Sequence, residues 1–312
     1  MSASHKASIS ALQAELGKVI LGKPQVIELA VTALLAGGHI LMEDVPGVGK
    51  TTLAKALARS LAADWKRVQF TPDLLPADIL GSSVYDPRDG SFTFRQGPIF
   101  TNVLLADEIN RASPRTQSSL LEAMSERQAS IEGRTLPLPS PFLVIATQNP
   151  VEFHGTYPLP EAQLDRFGVR LSMGYPSKEH EVDVLYSRSE KDPLDDVTPV
   201  LDGAGVLALQ AAVRAVKVER SIARYIVELA DGTRRHASLK LGASPRATLS
   251  LFRAAQARAL LEGRDHAIPE DVKAIAVPAL AHRLGLDTKA KYAGVSKEDI
   301  VREALERTAV GV

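Results

Sequence analysis

The sequence predicts an α/β chain: a parallel sheet covered on both faces by helices, followed by a smaller all-α portion. Three observations predict it. Short apolar runs alternate with helical patterns up to about residue 175, a glycine-rich turn joins one run to an amphipathic helix, and strand-like runs stop at Pro176. The expected division is residues 1–190 for the sheet-bearing domain and 200–312 for the helical one.

Residues 23–36 space Val26, Ile27, Ala30, Ala33 and Leu34 at helical intervals, and Gly37 with Gly38 ends that helix. HILME (39–43) then reads as a buried strand, and TTLAKALARSLA (51–62) puts Leu53, Leu57 and Leu61 on one helical face. RVQF (67–70), NVLLAD (102–107), PFLVIAT (141–147) and FGVRLSM (167–173) supply further strands, with a helix over 114–127. KDPLDDVTP (191–199) reads as a solvated linker. Helical patterns follow near 203–216, 219–235, 244–262, 269–283 and 297–308, with no heptad or solenoid repeat.

Composition narrows the function classes. Lys and Arg total 37 and so do Asp and Glu, so no global field draws the chain to nucleic acid or anionic lipid, although a local basic patch stays open. Without cysteine there are no disulfides, thiolate metal sites or cysteine nucleophiles, which is compatible with a reducing cytoplasm. The N-terminal MSASHKASISALQ lacks a signal peptide's apolar core, and the longest apolar run, 29–42, is broken by Gly37-Gly38-His39 and too short to span a bilayer. The histidines show no metal-ligand spacing, and His154 reads as a loop surface residue.

The chemistry gathers at LMEDVPGVGKTT (41–52). In a phosphate-binding loop of the form G-x-x-x-x-G-K-[ST], backbone N–H groups wrap the phosphates, the lysine reaches the β and γ phosphates, and the hydroxyl binds Mg²⁺. Pro46, Gly47, Val48, Gly49, Lys50, Thr51 and Thr52 match, and Thr51 falls at a helix start that favours anions. Asp44 stands where the pattern has glycine, at a position expected to shape the turn by bonding nearby backbone N–H groups.

About 50 residues on, an apolar strand ends in Asp107 and Glu108. Downstream of a phosphate loop, Asp107 is suited to holding Mg²⁺ and Glu108 to orienting and deprotonating a water, a role that points to hydrolysis. Asn149, closing VIATQN, suits either a water-positioning role or the capping of a turn. Arg166, in LDRF, is either a surface cation or one that neutralises transition-state charge, and spacing does not choose.

The stretches EDVPGVGKTTLA, LLADEINRASPRTQSSLLEAMSERQ, VIATQNPVEF and YPLPEAQLDRFGVRL together resemble the AAA+ ATPases, and more closely the MoxR family, in a clade resembling magnesium-chelatase ATPase subunits. MoxR members commonly carry E-D-x-P-G-x-G-K-T, which Asp44 fits. The resemblance implies that Lys50 and Thr51 form Walker A, Asp107 and Glu108 Walker B, and Asn149 sensor 1. Arg166 then matches the arginine finger inserted into a neighbouring subunit's site, and Arg246, in GASPRA (242–247), matches sensor 2, acting within the subunit or on a neighbour. VILG (19–22), with Ile20 and Gly22, resembles the segment that packs on adenine.

Two hairpins are expected at 81–97 and 127–139. They are ordinary surface features or, as in the clade, contacts for substrate or other subunits. The resemblance further implies ATP or ADP with Mg²⁺, a homo-oligomer in a closed hexameric ring, a cytoplasmic location, and a von Willebrand factor A domain protein as partner in metal insertion or complex assembly. A motor acting on nucleic acid and a nucleotide-gated, non-hydrolysing scaffold are the competing readings; the balanced charge argues against the first and the full set of catalytic positions against the second.

Overall fold

In the computed structural model, which describes residues 3–149, 155–187 and 191–310, the strands in chain order are β1 (Ile40–Glu43), β2 (Trp65–Gln69), the hairpin β3 (Gly81–Asp86) and β4 (Ser91–Gln96), and β5 (Val103–Asp107). The hairpin β6 (Gln128–Ile131) and β7 (Arg134–Pro137) follows, then β8 (Leu143–Gln148) and β9 (Val169–Leu171). Among the described residues, five of these pair in parallel in the order β2-β5-β8-β1-β9. Gln69 lies opposite Asp107, Glu43 opposite Gln148, and Met42 opposite Leu171, so this register brings the carboxyl ends of all five strands to one edge.

Alternation along each strand divides the core. Ile40, Met42, Val103 and Leu105 face one apolar cluster, while Leu41, Leu104 and Ala106 face the other. The first is covered by helices α1 (Ala3–Gly17), α2 (Pro24–Ala36) and α3 (Lys50–Ser60); the second by α4 (Pro76–Leu80) and α5 (Pro114–Glu126). The short α6 (Glu161–Leu164) precedes β9, and α7 (Lys178–Ser187) follows it without burying a side chain. VEFH (151–154), including His154, and Pro150 lie outside the described residues.

From Gly203 the chain is mainly helical: α8 (Gly203–Ala215), α9 (Arg220–Arg234), α10 (Pro245–Leu261), α11 (Pro269–Leu280), α12 (Thr288–Tyr292) and α13 (Lys297–Arg307). A two-stranded antiparallel ribbon, β10 (Leu239–Leu241) with β11 (Gly285–Leu286), joins them. Leu251 and Ala254 of α10 share the first core cluster with α2, so this lid docks on the α2 and β9 side of the sheet.

This ribbon departs from the all-α portion that the sequence predicts, its two strands being too short to stand out as apolar runs, and two further features differ from the sequence pattern. The segment 191–199 is anchored, not solvated: Leu194 and Val197 are buried, Arg59 donates to the Leu194 carbonyl, and the Thr198 N–H donates to Glu15 at 2.9 Å. Two apolar side chains three apart suffice to seat an otherwise acidic stretch. The second is α1, whose Ile9, Leu12 and Leu16 are buried against α2 and α3 although alanines and polar residues dilute the pattern.

Buried histidines tie the layers together. The His39 Nδ1 accepts from the Val144 N–H at 3.0 Å and its Nε2 donates to the Met124 carbonyl at 3.1 Å, linking β1, β8 and α5. Burial brings its pKa down to about 4, and burial likewise holds His282 well below the usual imidazole value. Both are neutral when folded, so the unfolded chain binds more protons as pH falls below about 6.5. Stability is therefore expected to drop from there toward the folded value, by about 3 kcal/mol for His39 alone. Urea denaturation at about pH 7 and about pH 5 checks this, with the lower midpoint expected at the lower pH.

Candidate nucleotide site

At the carboxyl edge of the sheet, β1 turns through Asp44 to Gly49 into α3. Gly47 and Gly49 hold φ of 84° and 98°, the left-handed region that glycine adopts at least cost. A Cβ added at Gly47 would meet nothing within 4 Å, so the loop backbone is open to a ligand. Lys50 and Thr51 are the first residues of α3, whose free N–H groups and dipole favour an anion.

A cavity of about 500 Å³ lies over this turn. Pro46, Gly47, Val48, Gly49, Lys50, Thr51, Thr52, Asp107, Glu108 and Asn149 line it, with Ile20 between Val19 and Leu21 at its apolar side. Gly22 is not in the wall; its Cα packs against the His180 ring. Met173, Gly174 and Val184 also line the cavity, as do Arg67 and Gln69 of β2. A polyphosphate fits this donor set, with the lysine and helix N-terminus for phosphate oxygens and a hydroxyl beside a carboxylate for a hard divalent cation.

The carboxylates are held from several directions. The Thr147 hydroxyl donates to Asp107 at 2.6 Å and accepts from the Glu108 N–H at 2.9 Å, so one side chain sets both positions. Glu108 has a φ of 56°, uncommon for a side-chain-bearing residue, and the Thr147 bond helps to hold it there. Arg67 pairs with Asp107 at 2.7 Å, while Gln69 and Arg111 each donate to Glu108 at 2.8 Å. Sequence reasoning passed over Thr147, Arg67, Gln69 and Arg111. The available signal was polar residues alternating on β2, since Arg67 and Gln69 lie two apart and β2 pairs directly with β5.

Asp44 does more than shape its own turn, and the partners of its carboxylate are not nearby in sequence. Its buried carboxylate accepts from the Ser172 hydroxyl at 2.9 Å, the Met173 N–H, and the Gly174 N–H at 3.0 Å. Its carbonyl accepts from the Lys50 ammonium at 3.0 Å. Asp44 thus staples the phosphate loop to the segment leaving β9, which forms part of the cavity wall. The adjacent Glu43 pairs with Arg170 at 2.9 Å, and Arg170 also reaches Glu298 on α13.

Arg166 and Arg246 lie elsewhere. Both line a second cavity of about 220 Å³ with Gly38, His39, Arg127 and Arg283, at the amino end of β1. The two cavities share no residue. The lid's docking on α2 puts the start of α10, and with it Arg246, at that end.

Asp44→Asn is expected to cost about 1–3 kcal/mol of stability, because a carboxamide cannot accept from three donors as the carboxylate does. Chemical denaturation checks it; an unchanged midpoint would contradict the staple. Nucleotide binding is expected to weaken in parallel, since Met173 and Gly174 line the cavity.

The model of the ATPase family associated with various cellular activities (AAA) matches residues 39–169, and that of the AAA lid domain matches residues 231–304. The chain is 50% identical over 297 residues to the uncharacterized protein YeaC of Bacillus subtilis, covering 95% of this chain and 93% of that one. It is 42% identical over 305 residues to the chaperone MoxR1 of Mycobacterium tuberculosis, covering 95% and 80% of the two chains. To protein MoxR of Methylorubrum extorquens it is 34% identical over 303 residues, covering 88% and 86%. A crystal structure from Cytophaga hutchinsonii, of a chain assigned as an ATPase, superposes with a TM-score of 0.92 at 39% identity over 99% of this chain and 96% of that one. With its Walker-type cavity, its sheet order and these relatives along nearly its whole length, the chain belongs to the MoxR family of AAA+ ATPases.

Proposed function

We propose that this chain hydrolyses ATP as a closed ring of identical subunits, six by family resemblance, and uses the cycle to remodel a partner protein complex. The observation that carries the reading is the separation of charged groups along β1. Lys50 and the two carboxylates line the cavity at its carboxyl end, Arg166 and Arg246 the cavity at its amino end. A strand rises roughly 3.3 Å per residue, so His39 and Asp44 lie about 16 Å apart across the sheet. The arginines of one subunit therefore suit a phosphate held by the next, which favours sensor 2 acting in trans.

Within one subunit, Ile20 and its neighbours offer an apolar wall to the base. Lys50 transfers its ammonium from the Asp44 carbonyl to the β and γ phosphate oxygens, while Thr51 and Asp107 hold Mg²⁺. When bound, Mg²⁺ would neutralise charge developing on those oxygens. Glu108, exchanging Gln69 and Arg111 for a water, takes the proton as that water attacks the γ phosphorus, and Asn149 orients it. The bond from the γ phosphorus to the bridging oxygen breaks, and that oxygen keeps the electron pair as ADP departs. The neighbour's Arg166 and Arg246 stabilise the charge on the transferred group.

The chaperone reading draws on the relative of that name; metal insertion and a von Willebrand factor A domain partner come from family resemblance. The hairpins suit client or subunit contact. Ser83 on β3 donates to Glu132 at the tip of the other hairpin, and Tyr85 and Phe92, whose rings pair at a tilt of 51°, are 53% and 72% exposed. No helix among the described residues is long and apolar enough to cross a membrane, and the cytoplasm is the location proposed. The nucleotide-binding and lid portions are taken to divide between residues 190 and 200.

Lys50→Ala is expected to abolish nucleotide binding. Glu108→Gln is expected to bind ATP normally and to lower kcat by about 100-fold or more. Phosphate release and binding of a fluorescent ATP analogue measure both; normal turnover by Glu108→Gln would overturn the reading.

A further inference from the structure

The second cavity has an unusual frame. Arg283, on the 3₁₀ turn that follows α11, is 3% exposed, and burial brings its pKa down to about 10, so it carries its charge at neutral pH. Removing a guanidinium from water costs several kcal/mol, and here the cost is offset by hydrogen bonds from Nη2 and by an ion pair between Nη1 and Asp165 that forms no hydrogen bond. Here the partners cluster around the two catalytic arginines. Arg283 lies 3.5 Å from the Asp165 carboxylate and donates to the Phe167 carbonyl, the residues on either side of Arg166. It also donates to Ser250 at 2.8 Å, one helical turn beyond Arg246 on α10.

Asp165 closes the frame from the opposite side. Its Oδ2 accepts from the Ser244 hydroxyl at 2.8 Å, and the same hydroxyl accepts from the Ala247 N–H at 3.0 Å, capping α10. One side chain therefore fixes both the start of the helix carrying Arg246 and its distance from the residue before Arg166. Meanwhile the Arg166 Nη1 donates to the Leu121 carbonyl at 2.5 Å, while its buried Nε has no hydrogen-bond partner. Arg127, Arg166, Arg246 and Arg283 all line this small cavity, and Asp165 is its single carboxylate among the described residues. Like charges at such density separate unless something holds them.

We infer that Asp165, Ser244 and Arg283 form a clamp across the boundary between sheet and lid that presents Arg166 and Arg246 as one rigid pair to a phosphate held by a second copy of this chain. The three are positioning residues; they act through the arginines. The inference rests on the trans role given to those arginines above. It adds that lid and sheet deliver them together, so that loosening the clamp disables the pair while leaving the subunit's own nucleotide cavity intact.

The test uses full-length Asp165→Asn, which keeps the shape and removes the charge, and Ser244→Asp. The second keeps a helix cap but cannot donate to Asp165 and repels it. Each is expected to bind a fluorescent ATP analogue within about threefold of the parent and to lose about 10- to 100-fold in kcat, the scale of misplacing a catalytic group by about an ångström. Ser244→Thr, which retains the hydroxyl, is expected to keep turnover.

The deciding readout is mixing. Combined with the Glu108→Gln chain, which has intact arginines and no water-activating carboxylate, each clamp variant is expected to exceed the summed activities of the separate proteins. Arg166→Ala mixed with Glu108→Gln is the control. No recovery in that control overturns the trans reading and this inference with it. Recovery by Arg166→Ala overturns the clamp alone if the clamp variants keep full turnover, or lose it without recovering on mixing. Should Asp165→Asn fail to fold, Ser244→Asp decides the matter.

Discussion

Parallel pairing brings the carboxyl ends of five strands to one edge, and the backbone groups left over there must be met by whatever the chain does next. Much of the site's detail answers that demand. Thr147, at the end of β8, satisfies the Glu108 N–H and bonds Asp107. Asp44, just past β1, satisfies the N–H groups of Met173 and Gly174 just past β9. A rigid, polar, outward-facing edge results, and a Gly-rich turn placed on it becomes a phosphate cradle rather than a loose loop.

Asp44 also explains why a variant of the usual loop pattern is compatible with an ordered site. A glycine there would serve only the turn. The carboxylate instead connects the loop to the exit of β9, the strand that follows Arg166, and Glu43 beside it connects through Arg170 to α13. The two-residue stretch before the cradle thus touches the wall of one cavity, the strand leading from the other, and the lid. Hydrogen bonds and ion pairs form a short physical link from the loop to each.

Local features were legible in the sequence because they are made locally. Apolar runs such as VLLAD and LVIAT announced the central strands, GVGKT announced the cradle, and the acidic pair at the end of β5 announced the carboxylates. What could not be read depends on distant partners. Asp44 finds its donors 128 to 130 residues away, Arg67 reaches Asp107 across 40, and the seating of 191–199 depends on α1 and α3 already being in place. The lid's docking on α2 is of the same kind. Nothing in GASPRA says on which side of the sheet it will lie, yet that docking decides that Arg246 joins Arg166 and not Lys50.

On the proposed reading, a complete hydrolytic site forms only between subunits, because the two arginines and the phosphate loop line separate cavities. Turnover per chain, followed through a dilution series in which mass photometry reports the fraction assembled, tests it most directly. Turnover per chain is expected to fall in proportion to the assembled fraction and to vanish for the dissociated chain, while binding of the fluorescent ATP analogue persists. Constant turnover per chain through dissociation would contradict it.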